Sequence, residues 1–102
     1  MTRKPIAESD WKLFKQIRKT ALERFCERVL EEFQLKLNDR KLSAHERYLA
    51  LYKIMQRRDK ELGSAFNDYR RSMAVFQIGI IYSLGLMTDL ELAGFSGCQK
   101  FC

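Results

Sequence analysis

WKLFKQIRKTALERFCERVLEEFQLKL, residues 11–37, is the stretch whose reading decides the fold. Within it Phe14, Ile17, Ala21, Leu22, Phe25, Cys26, Val29, Leu30, Phe33 and Leu37 recur at steps of three and four. At 100° per residue they fall on one broad stripe, with Lys, Arg and Glu on the opposite side. The spacing predicts a long amphipathic helix that touches more than one neighbour. Ser9 or Asp10 stands where a capping side chain belongs for a helix starting at Trp11. Asn38-Asp39-Arg40-Lys41 ends it as a polar turn.

Working outward, Ser43-Ala44-His45-Glu46 has the S-x-x-E form of a capping box. The helix it opens carries Tyr48, Leu51, Tyr52, Met55, Leu62 and Phe66 on one face, and Gly63 either ends it or is tolerated. Asn67-Asp68 offers a cap for a third helix from Tyr69. Met73, Ala74, Val75, Phe76, Ile78, Ile80, Ile81 and Leu84 cover nearly the whole circumference of that helix, which predicts a central, buried element. Gly85-Leu86 reads as its C-terminal stop. Thr88-Asp89-Leu90-Glu91 is a second capping box, opening a short helix to about Phe95. Neither a strand nor an internal repeat is legible. The fold class is therefore all-α: a single-domain bundle of three main helices plus a short fourth, with flexible ends at 1–9 and 96–102.

Composition bounds the function classes. At 102 residues the chain suits one compact domain, and 46% hydrophobic with 31% charged residues is a globular balance. No apolar run follows the charged start, so no signal peptide is predicted. The greasiest stretch, Met73 to Met87, is interrupted by Gln77 and Ser83 and is shorter than the roughly 20 residues of a membrane span. Three cysteines, Cys26, Cys98 and Cys102, form an odd set without secretory context. That predicts reduced thiols and a cytoplasmic setting. Cys26 reads as a small core residue, and Cys98 and Cys102 lack the partners of a zinc site.

Two charges stand where apolar residues belong. Arg18 lies between Phe14, Leu22 and Phe25, and Asp59 between Tyr52, Met55, Leu62 and Phe66. An isolated buried charge is strongly unfavourable, so each needs a partner or a route to water. The simplest expectation is that Arg18 meets Asp59 across the helix contact, or that Asp59 pairs with Arg70 or Arg71. A structural ion pair is the favoured reading; the sharper one is the polar floor of a ligand pocket or dimer seam.

Catalysis ranks last among the functional classes. The one histidine, His45, sits in the first turn of a helix, and no triad, Walker loop, GxGxxG, HExxH or CxxC motif is present. No cofactor, metal or catalytic residue is predicted. Nucleic-acid binding is the intermediate class. Net charge is +6, and Lys12, Lys15, Arg18 and Lys19, then Arg57, Arg58 and Lys60, then Arg70 and Arg71, supply basic faces. Glutamates Glu23, Glu27, Glu31 and Glu32 interrupt the first cluster. Leu84 to Asp89 has the look of a helix-turn-helix turn. Bulky Ile81 and the acidic Asp89 and Glu91 argue against that role. Protein–protein association, with a homodimer as its commonest form, ranks first. Trp11 and Phe14 with the off-stripe Leu13 and Leu35 are the candidate interface.

The segments Ala21–Cys26, Ser43–Tyr48, Arg58–Leu62, Arg70–Ser72 and Gly85–Asp89 together resemble a family of short, uncharacterised bacterial all-α proteins, some carried on mobile gene cassettes. The resemblance runs to about Phe95. It implies a bacterial cytoplasmic protein and brings no activity. The tail from Ser96 to Cys102 departs from the acidic, proline-containing continuation expected there.

Overall fold

The computed structural model describes residues 6–67 and 69–95. Among them are four helices and no strand: α1 (Glu8–Leu37), α2 (Ala44–Phe66), α3 (Ala74–Ser83) and α4 (Asp89–Ala93), with a 3₁₀ turn at Arg71–Met73 before α3. The protein is all-α. Cys98, Cys102 and the Asp68 half of the expected α3 cap lie outside the described residues, as do 1–5 and 96–102 of the expected flexible ends.

Helix α1 starts three residues earlier than its apolar pattern. Ala7 occupies the N-cap without a side-chain bond, and Glu8 and Asp10 lie inside the first turn, where negative charge suits the helix dipole. Neither Ser9 nor Asp10 is the N-cap, and Arg71 instead anchors the chain at the start of the helix. Its Nε and Nη2 donate to the Ile6 carbonyl at 3.0 and 2.8 Å, and its Nη1 reaches Glu8 Oε2 at 2.7 Å. Arg71 thus ties Ile6 and Glu8 to the segment before α3.

Both predicted capping boxes form. Ser43 accepts from the Glu46 amide at 3.0 Å while Glu46 accepts from the Ser43 amide at 2.8 Å. Thr88 and Glu91 reproduce the pair at 3.0 and 2.8 Å. Helix α2 runs through Gly63 and closes at Phe66. Helix α3 ends in a Schellman motif. Leu86 N–H donates to the Ile81 carbonyl at 3.1 Å and Gly85 N–H to the Tyr82 carbonyl at 2.9 Å. Gly85 adopts the left-handed φ of 72° that this motif asks for.

The expected start of α3 at Tyr69 is displaced. Tyr69 lies outside any helix, Arg70 is extended, and the helix proper begins at Ala74. The reason is in the side chains: the Tyr69 ring stacks near Trp11 and Phe14, and Arg71 reaches back to the start of α1. Nor is α3 buried all round. Ala74, Gln77, Ile78 and Ile81 form one buried face, whereas Phe76 and Tyr82 are exposed. Its sequence is apolar on every side, but nothing among the described residues covers the outer one.

The core gathers at one end. Phe14, Ile17, Ala21 and Phe25 of α1 meet Ala65 and Phe66 of α2, then Ala74, Ile78 and Ile81 of α3, then Leu86, Met87, Leu92 and Phe95. Each such buried apolar side chain larger than alanine contributes about 1.5–3 kcal/mol from water exclusion. Beyond Phe25, α1 contributes no buried residue, and α2 before Ala65 contributes Ile54 alone. The distal halves of α1 and α2 therefore project as a two-helix arm. The dimensions agree: 52 × 28 × 20 Å with a radius of gyration of 16.8 Å, against about 13 Å for a compact chain of this length.

Candidate functional site

The arm has two unlike sides. On one, Cys26, Val29, Leu30 and Phe33 of α1 border Met55, Asp59 and Leu62 of α2 around an apolar groove of about 230 Å³. Continuing at helical spacing adds Leu37 to the α1 row and Tyr52 and Tyr48 to the α2 row, all exposed. On the other side, Glu32, Lys36, Lys53 and Arg57 ring a shallow hollow with Leu35 and Ile54. The apolar row of α2 read from the sequence is real. It is largely uncovered, with Met55 56% and Tyr52 55% exposed.

That geometry corrects several expectations. Cys26 is a free, exposed thiol at the groove rather than a core residue. Asp59 is likewise exposed, and among the described residues it forms neither a hydrogen bond nor an ion pair. It therefore does not meet Arg18, Arg70 or Arg71. The misreading has one physical cause: a stripe marks which residues avoid charge, and only tertiary packing decides which of them are buried.

Arg18 is half-buried as expected but differently partnered. Its Nη2 donates to the Phe66 carbonyl at 2.6 Å, capping the last turn of α2. Its guanidinium carbon stands 4.2 Å from the Tyr69 ring centroid and 5.7 Å from that of Phe66. Cation–π stacking thus takes the place of the expected carboxylate. Arg71 serves Ile6 and Glu8, as described; Arg70 is exposed. Of the expected interface residues, Phe14 is fully buried in the core and unavailable to a partner. Trp11 and Leu13 pack at the core margin, with Leu13 against the end of α4 near Gly94. Leu35 is 75% exposed but lies on the charged side of the arm.

Two ionic clusters escaped the sequence reading. Glu32 Oε1 accepts from Arg58 Nε at 2.6 Å, and Arg58 Nη1 also reaches Glu61 at 2.8 Å. The hydrogen bond from Arg58 holds the Glu32 carboxyl below its ordinary pKa, with smaller help from Arg57, and burial opposing. At the other end Arg24 and Arg28, placed by their position on the polar side of α1, grip the turn after α3. Arg24 Nη1 donates to the Leu86 carbonyl at 2.8 Å and to Glu91 Oε1 at 2.7 Å. Arg28 donates to the carbonyls of Leu84 and Gly85 at 2.8 and 2.5 Å. Glu91 is depressed in pKa first by Arg24 and then by the Thr88 amide, and Arg24 is raised in return. The turn that looked like part of a DNA reader is thus fastened to α1 through its own backbone.

Of the basic faces, then, Arg18, Arg57, Arg58 and Arg71 have partners within the fold. Lys12, Lys15 and Lys19 form no ion pair among the described residues, and with Gln16 and Tyr69 they line an open hollow of about 420 Å³. Among the described residues, no three His, Cys, Asp or Glu side chains are grouped to hold a metal ion, and no helix is long and apolar enough to cross a membrane. The family-model scan, the search of curated proteins and the search of solved structures return no match to this chain.

Proposed function

We propose that this chain works by association and not by catalysis, and that the apolar side of its α1–α2 arm pairs with a second copy. One observation supports this reading: Cys26, Leu30, Phe33 and Leu37 run beside Tyr48, Tyr52, Met55 and Leu62 on a single side of the arm, exposed or half-buried. The footprint is about 20 by 20 Å, two helices wide and four turns long. Apolar patches of a few hundred Å² are often functional.

A two-fold axis near Met55 puts Asp59 of one copy opposite Tyr52 of the other, since the two lie equally far from it along α2. Tyr52 Oη accepts from Gln56 Nε2 at 3.1 Å, which leaves its own proton to donate to that carboxylate. Two arms meeting this way complete a four-helix bundle from a two-helix arm. In this reading the protein is a small adaptor with no cofactor. On its resemblance to short bacterial helical proteins we place it in a bacterial cytoplasm.

Light scattering over a concentration series tests the proposal. The wild-type chain gives twice the chain mass and Phe33→Glu, in the wall of the groove, gives the chain mass at unchanged helicity. A wild-type monomer at every concentration would sink the reading.

A further inference from the structure

The hollow at the other end of α1 shares no lining residue with the arm. Lys12, Lys15 and Lys19 project from one face, at steps of three and four, over a row of about 10 Å. None of the three has a carboxylate within ion-pair distance among the described residues; Glu8, one turn before Lys12, is held by Arg71. Positive charge concentrated without internal compensation is a site for an anion.

The hollow also has an aromatic wall. Tyr69 lines it with 46% of its surface open, backed by the Arg18 guanidinium and flanked by Trp11 at 5.4 Å between centroids. Lys15 Nζ lies 5.8 Å from the Trp11 ring centroid. An inorganic anion or an acidic peptide gains nothing from this wall. A base gains a stacking surface. A row of two to three ammonium groups beside one aromatic platform matches two or three successive phosphates with an unpaired base between them. In a duplex the base faces are stacked away inside, so the aromatic wall selects a single strand.

We infer that Lys12, Lys15, Lys19 and Tyr69 form a binding site for single-stranded nucleic acid, with phosphates on the lysines and a base on the tyrosine. Trp11, the single tryptophan of the chain, reports on the site directly.

Titration with a fifteen-nucleotide oligo(dT), followed by tryptophan emission and by anisotropy of a labelled strand, tests the inference at about 50 mM salt. Expected are saturable quenching and an affinity that falls with salt at a log–log slope of about −2, for three neutralised phosphates at −0.7 each. Lys12→Glu/Lys15→Glu/Lys19→Glu, all exposed positions, loses at least tenfold in affinity with helicity unchanged. Tyr69→Leu weakens the oligonucleotide about tenfold and leaves inorganic polyphosphate binding where it was. Unchanged helicity by circular dichroism shows that this variant is folded. Absence of oligonucleotide binding overturns the inference, as does wild-type affinity in the triple variant. So does equal binding of oligonucleotide, polyphosphate and polyglutamate that is indifferent to Tyr69, which would mark a generic cation patch.

Discussion

Arg24 and Glu91, 67 positions apart, meet at 2.7 Å, and the same Arg24 Nη1 holds the Leu86 carbonyl at 2.8 Å. One guanidinium therefore fastens both the backbone of the turn after α3 and the side chain that caps α4. Glu91 already accepts from the Thr88 amide, so Arg24, Glu91 and Thr88 form a chain of charge-assisted bonds.

Replacing Arg24 by Ala removes the ion pair and leaves the Leu86 carbonyl without its donor. The expected loss is about 1–3 kcal/mol in chemical denaturation. Arg24→Lys recovers less than half of it, because a single ammonium does not reproduce the planar fork that serves carbonyl and carboxylate together. Full recovery by lysine would show that charge alone matters at this position.

Acid should loosen the same contact and its counterpart at Glu32. Arg24 and Arg58 hold these carboxyls below their ordinary pKa, so the stability they add is complete above the unfolded value of about 4.3. It is lost as pH falls from there through the depressed folded values. Each pair is a quarter to a third exposed, which limits it to about 1 kcal/mol or less. Thermal melts at pH 7 and pH 3 measure the drop, and Glu91→Gln should lower the pH 7 value while flattening the dependence. An unchanged pH slope in Glu91→Gln would assign the acid sensitivity to other carboxylates.

Two glycines six positions apart should respond oppositely to alanine. Gly85 has φ 72°, and a Cβ there would stand 3.6 Å from Arg28 Nη1, an ordinary contact. Gly85→Ala therefore costs about 1–2 kcal/mol, from the backbone conformation and not from crowding. Gly79 lies inside α3 with nothing within 4 Å of its Cβ position, so Gly79→Ala stabilises by about 0.5–1 kcal/mol. Paired melting curves of the two variants decide the matter.

Arg18 and Asp59 should prove energetically separate. Arg18→Met strips the Phe66 carbonyl of its donor and is expected to cost about 1–3 kcal/mol. Asp59→Asn, at an exposed position, stays within about 0.5 kcal/mol in the monomer. Their double variant adds to within about 0.5 kcal/mol. A coupling well above that would place the two side chains in contact after all.

The elements that local chemistry specifies were legible in the sequence. The Ser43 and Thr88 capping boxes and the Gly85 stop each depend on a few adjacent residues, and they appear where the sequence put them. The interactions that cross the fold were not. Arg24 and Arg28 look like solvated charges on the polar side of α1, because their acceptors are backbone carbonyls whose positions no side-chain pattern reveals. Cys26 and Asp59 were read as interior for the converse reason: periodicity identified their side of the arm but not that the side is bare. Of the later site, the lysines were legible as a cluster. Tyr69 was assigned to a helix it does not join, so its place as a wall beside them could not be read.

The grip of Arg28 on the carbonyl of Leu84 spans 56 residues of chain and thereby sets an order in time. On a ribosome adding about 5–20 residues per second, Arg28 is added about 3–11 s before Leu84. Helices form in about a microsecond or less, so α2 can form only once Phe66 has been added, with 18 residues still to come before Leu84. During those seconds Phe14, Ile17 and Ala21 have no α3 or α4 to cover them. The nascent chain is thus exposed to aggregation, and accessible to a chaperone, until the segment from Ala74 to Phe95 has been added.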